Sequence, residues 1–197
     1  TYQSYNEFSR GINSIPSSDA NYTDNYKHIR RTNLLLQNAE AYAKPEDIKQ
    51  YIGEAYFFRA YSYFDLLQLY GDVIITKKPL DITDPEMKVK RNDRSEVVDL
   101  IIDDLNHAVE NLPAFKELTT EEEGRISKEG AQAFLSRVAL YEGTWQKSRN
   151  GNQNTQRSAN LLDIAAKAAR TVIDAKYGYT FRLFGTDSET KILGDSA

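Results

Sequence analysis

Apolar side chains recur every three to four residues in five stretches of the chain, the period of a helix with one face turned inward. The first stretch runs from about Asp24 to Ala43. Tyr26, Ile29, Leu36 and Ala39 share its inner face, and Thr23 or Asp24 is placed to cap it. Lys44-Pro45 interrupts the pattern. Pro45 suits the first turn of the next helix, where its missing N–H would have no partner anyway. Glu46 and Asp47 then stand where a helix dipole favours anions. The second stretch, Pro45 to Tyr70, carries two stripes. One holds Ile52, Ala55, Tyr56, Tyr63, Leu67 and Tyr70; the other holds Phe57, Tyr61 and Phe64. A helix apolar on more than one face is expected to lie buried among neighbours.

The third stretch, Arg94 to Leu112, has a clean stripe through Val97, Val98, Ile101, Ile102, Leu105, Ala108, Val109 and Leu112. Asp93 and Glu96 have the spacing of a capping box, and Pro113 stops the helix. The fourth opens at Ser127, a good N-cap, and carries Ala131, Phe134, Leu135, Val138, Tyr141 and Trp145. The fifth runs from Ser158 to Lys176, with Leu161, Ile164, Ala165, Ala168, Val172 and Ile173 inward. Gly71-Asp72 ends the second helix, and a loop with a short extended run, Val73 to Ile75, leads to Asn92. An acidic loop spans Thr119 to Gly124, and a polar loop spans Lys147 to Arg157. The expectation is an all-α chain of helical hairpins that bury their faces by stacking, as in helical solenoids. Ala55-x-x-Phe58 echoes Ala131-x-x-Phe134, but no regular period or full tetratricopeptide consensus is present.

Composition narrows the function classes. A length of 197 residues suits one domain or a piece of a larger protein. A formal net charge of -4 provides no electrostatic footprint for nucleic acid. No apolar run is long enough to form a membrane-spanning helix. The chain has no cysteine, which removes disulfides and thiolate metal sites, and its two histidines, His28 and His107, both sit in helical patterns. No HExxH or Ser-His-Asp spacing and no glycosidase acid–base pair can be drawn, so no catalytic residue, metal or cofactor is assigned. Asp81, Asp84 and Glu86 are close enough in one loop to suggest calcium, but EF-hand spacing is missing.

The segment Gly53 to Val73, "GEAYFFRAYSYFDLLQLYGDV", holds seven aromatic residues. Their helical spacing points to core packing rather than a binding surface. Glu54 and Arg59 within it need partners if buried, because an unpaired buried charge costs several kcal/mol. Arg30 and Arg31 are the expected partners of Glu54. Trp145 shares its spacing with Phe134 and Tyr141, which favours core over an exposed sugar platform. The N-terminal stretch before the first helix mixes Tyr, Asn, Arg, Ser and Asp without a period. Loops on a rigid scaffold are where binding groups concentrate. Tyr5, Arg10, Asn13, Asp19, Asn21 and Tyr22 are the expected ligand-binding set, offering ring faces and paired donors and acceptors to a sugar or a peptide.

Four blocks resemble one family. "YKHIRRTNLLLQNAE" resembles the Y-x-x-I-x-x-x-N helix of SusD/RagB-like proteins, and "GEAYFFRAYSYFDLLQLYGDV" resembles their G-E-A-x-F-x-R-A signature helix. "SEVVDLIIDDLNHAVENLP" and "GRISKEGAQAFLSRVALYEGTW" resemble the two blocks that follow, in family order, and together the four cover about two-thirds of the chain. The resemblance implies tetratricopeptide-like hairpins stacked in an α-α superhelix with long connecting loops. It implies a non-enzymatic lipoprotein of the outer membrane, exposed at the cell surface. Such a protein captures a glycan, or in some members a peptide, for a SusC-like TonB-dependent transporter. On this reading residues 1–197 form one helical domain, with the lipidated cysteine upstream and a C-terminal part downstream. Asn33, Glu54, Arg59 and Arg125 match family positions that look like scaffold. Ile74 departs from the proline common at that place. The alternatives are a peptide-binding member or a tetratricopeptide-like interaction module without a small ligand.

Overall fold

A computed structural model of the chain describes residues 11, 14, 17–81, 83–122, 124–149 and 155–178. Five long helices follow one another: α1 (Ala20–Glu40), α2 (Lys49–Tyr70), α3 (Arg94–Asn111), α4 (Lys128–Arg149) and α5 (Thr155–Ile173). Each packs against the next in chain order, so the fold is an all-α stack of hairpins. Among the described residues the only β pairing is a single antiparallel bridge between Val73 and Asn92.

The helix ends differ from expectation in ways that local chemistry explains. α1 starts at Ala20 because the Asp19 carboxylate accepts the Asn21 N–H at 2.9 Å; Asp19, not Thr23 or Asp24, is the cap. Pro45–Ile48 forms a 3-10 turn before α2 proper. At α3 the Glu96 carboxylate reaches back to the Asp93 N–H at 3.1 Å, as the capping spacing suggested. Part of the expected polar loop is helical, since α4 continues to Arg149 and α5 begins at Thr155.

α2 is the central element. Phe57, Ala60, Tyr63, Phe64, Leu66 and Leu67 are buried against Ile29 of α1, Val97, Ile101 and Leu105 of α3, and Ala131 and Val138 of α4. Two rings of this segment depart from the core reading: Phe58 is 50% exposed and Tyr61 is 47% exposed. They border a depression shared with His28, Arg31 and Thr32 of α1, and Tyr61 stacks on Phe134 of α4 with ring centroids 5.5 Å apart. Trp145 is half-buried at the edge of the core, under the Arg94 guanidinium, which lies 4.1 Å from a ring centroid. Arg94 also pairs with the fully buried Glu142 at 2.8 Å.

The expected Glu54 partners are not the observed ones. Glu54 takes a bidentate pair from Arg125, with both contacts at 2.7 Å. Arg30 instead donates to the Leu80 carbonyl at 2.7 Å. Arg125 lies 71 residues from Glu54 in sequence and enters through the segment that joins α3 to α4.

Candidate functional site

The loop after α2 is tied to α1 and α2 through its backbone. The Tyr26 hydroxyl donates to the Ile74 carbonyl at 2.8 Å, and the Asn33 amide donates to the Thr76 carbonyl at 2.9 Å. The Thr76 N–H donates to the Tyr63 hydroxyl at 2.8 Å, and the Ile75 N–H donates to the Asn92 side chain at 2.9 Å. A loop whose carbonyls and N–H groups end on helix side chains is a fixed wall.

Between that wall and α1 lies a groove of about 460 Å³. This is within the usual range for small-molecule sites. Tyr22, Tyr26 and Arg30 reach it from α1 because residues four apart share a helix face. Thr23 and Lys27 complete the helix side; Ile74, Thr76, Lys78, Leu80 and Glu86 supply the loop side. The Tyr22 and Tyr26 rings are tilted against each other with centroids 4.8 Å apart, and Tyr70 meets Tyr22 edge-on at 5.3 Å. Tyr70 donates its hydroxyl to the Asp19 carboxylate. That bond, followed by the Asn21 N–H, holds the Asp19 carboxyl below its ordinary range. Burial, reinforced by the Asp19 bond, pushes the Tyr70 hydroxyl up to about 12. Burial likewise raises Tyr26 well above an ordinary phenol, so it stays protonated as the donor to Ile74.

Of the described members of the expected ligand set, Asp19, Asn21 and Tyr22, only Tyr22 lines the groove. Asp19 is half-buried at the start of α1 and acts as a cap and as the acceptor of Tyr70. Asn21 is exposed, contributes its N–H to Asp19, and lines no part of the groove. Tyr5, Arg10 and Asn13 fall outside the described residues. Tyr26 packs against the core, in keeping with its place in the inner stripe of α1, and also lines the groove, where Arg30 joins it instead of pairing with Glu54. The four-residue spacing Tyr22, Tyr26, Arg30 was the available signal. In the suggested calcium loop, Asp84 accepts the Asp81 N–H at 2.7 Å and Glu86 pairs with Lys78 at 2.7 Å. Among the described residues no three His, Cys, Asp or Glu side chains gather at one point that could hold a metal ion.

Residues 2–140 match the SusD-like_3 family, described as starch-binding associating with outer membrane. This chain belongs to the SusD-like family. The SusD-like protein P38 of Formosa agariphila is 33% identical over 133 residues, 66% of this chain and 25% of the relative. A SusD-like protein of Bacteroides fragilis superposes with a TM-score of 0.72 at 28% identity, over 93% of this chain and 32% of that one. A laminarin-binding SusD-like protein superposes with a TM-score of 0.65 at 27% identity, over 84% of this chain and 33% of that one. The chain therefore spans about a quarter to a third of the SusD-like proteins it matches. The residues matched by the family, 2–140, contain α1, α2, α3 and the first part of α4.

Proposed function

We propose that this chain is the helical scaffold of a cell-surface, outer-membrane binding protein, and that its α1 groove is part of the site that captures an oligosaccharide. The observation that carries this reading is the Tyr22–Tyr26 ring pair opening into a groove whose opposite wall is fixed by backbone hydrogen bonds. Aromatic faces accept the C–H face of a sugar, and a wall that is already ordered adds little entropy cost on binding. The laminarin-binding relative supports a saccharide over other ligands. Capture without turnover suits the lining. One carboxylate, Glu86, lines the groove among the described residues and it is ion-paired, whereas glycoside hydrolysis uses two carboxyl groups across the scissile bond. Delivery to a TonB-dependent transporter and anchoring through an N-terminal lipid belong to the same proposal.

The test is titration of the full-length protein against a panel of polysaccharides and peptides, with Tyr22→Ala as the site variant. Saccharide binding that weakens about tenfold, or about 1.4 kcal/mol, in the variant supports the reading. Peptide binding alone would move the protein to the peptide-binding members. No ligand, together with co-purification of a transporter, would favour an interaction module.

A further inference from the structure

The described lining of the groove has a charge bias opposite to that of the chain. Among the described residues the groove is lined by three cations, Lys27, Arg30 and Lys78, and one carboxylate, Glu86, while the chain as a whole carries -4. Two of the cations are already neutralised locally: Lys27 lies 2.8 Å from Asp24, and Lys78 lies 2.7 Å from Glu86. Arg30 differs. Its Nη1 donates to a neutral acceptor, the Leu80 carbonyl, at 2.7 Å, and no carboxylate pairs with it among the described residues. The side chain is exposed, so Nε and Nη2 remain for a ligand. The Leu80 bond fixes the guanidinium at the groove wall, which lowers the entropy lost when it engages a second partner. Arg30 stands one helical turn from Tyr26, about 6 Å along the axis. A sugar lying on the tyrosine rings would place a ring substituent near it.

We infer that the groove selects an acidic saccharide, with Arg30 as the specificity-determining residue that takes the sugar's carboxylate or sulfate. This inference rests on the saccharide reading given above. A guanidinium fork donates two parallel hydrogen bonds to a carboxylate or a sulfate, and such charge-assisted bonds are about twice as strong as neutral ones. A neutral glucan would leave Arg30 with hydroxyl acceptors only.

The experiment is isothermal titration of the full-length protein with three probes: a neutral laminari-oligosaccharide, an oligogalacturonate and a sulfated carrageenan oligosaccharide. At least one acidic probe is expected to bind about tenfold more tightly than the neutral one, with affinity that falls as salt is raised. Arg30→Gln removes the positive charge and the two-nitrogen fork and is expected to reduce the acidic-to-neutral affinity ratio about tenfold. Preference for oligogalacturonate assigns the carboxylate, and preference for the carrageenan probe assigns the sulfate. A neutral probe that binds as tightly as both acidic ones, or a ratio unchanged in Arg30→Gln, overturns the inference and leaves the saccharide reading standing. Failure of all three probes and of every polysaccharide in the wider panel overturns both.

Discussion

Arg59 on α2 holds Asp104 on α3 through two parallel hydrogen bonds, 2.8 Å from Nε and 2.6 Å from Nη2, with both residues buried. The remaining nitrogen, Nη1, donates to Asn33 of α1 at 2.8 Å, and Asn33 in turn holds the Thr76 carbonyl of the groove wall. One buried guanidinium thus ties three helices to the loop. Removing one partner strands a charge in a low-dielectric interior, so Asp104→Ala is expected to cost about 3–5 kcal/mol in urea unfolding. The double change Arg59→Met, Asp104→Leu is expected to recover part of that loss: neither charge is then buried alone, but the buried Asn33 oxygen loses its Arg59 donor, which costs about 1–3 kcal/mol. A double variant as unstable as Asp104→Ala would show that the pair contributes more than compensation for its own burial.

Gly53 lies inside α2, where glycine is a poor helix former. Its place is set by contact: a Cβ there would lie 2.9 Å from both the Leu112 Cγ and the Leu112 backbone nitrogen. The backbone cannot move aside without shifting the end of α3. Gly53→Ala is therefore expected to destabilise by about 1–3 kcal/mol, although alanine favours helix elsewhere. A variant that melts at or above the parent temperature would show that α2 and α3 are less closely apposed.

Glu54 and Arg125 form a bidentate pair that is partly open to water, with side-chain exposures of 18% and 31%. Solvent screening limits the contribution, and Glu54→Ala is expected to cost about 1 kcal/mol. Saccharide affinity of the full-length protein should not change. Glu54 lines no part of the groove and lies nine residues before Tyr63, the α2 residue that holds the Thr76 N–H of the groove wall, about 14 Å along the helix axis. A large affinity loss at unchanged melting temperature would remove Glu54 from the scaffold.

The Tyr70–Asp19 contact makes stability depend on pH at both extremes. Asp19 has a depressed folded value, so its contribution is present above the ordinary carboxylate range and is lost as pH falls through the depressed one. Tyr70 has a raised folded value of about 12, so its contribution is full below the ordinary phenol value and is lost as pH rises toward 12. Phenolate absorbance of the parent minus that of Tyr70→Phe should show one tyrosine ionising near 12. In Asp19→Asn the same residue should ionise at lower pH, because burial remains but the charged acceptor is gone. An unchanged titration in Asp19→Asn would mean the bond does not persist in solution.

Much of this molecule is legible in its sequence. Helical period and capping chemistry act within one or two turns, so the five helices, the Ser127 cap, the Glu96 contact and the stops at Gly71 and Pro113 could be read from neighbouring residues. The choice of Arg125 over Arg30 and Arg31 for Glu54, and of Asp104 for Arg59, could not. Those partners lie 71 and 45 residues away, and only the stacking of hairpins decides which side chains meet. The same limit explains Phe58 and Tyr61, whose spacing matches that of buried rings while their exposure depends on how many helices surround α2. It explains the groove as well. Tyr22, Tyr26 and Arg30 follow one helix face by sequence alone, but they become a site only where the loop from Val73 to Leu80 is drawn across that face by Tyr26, Asn33 and Tyr63.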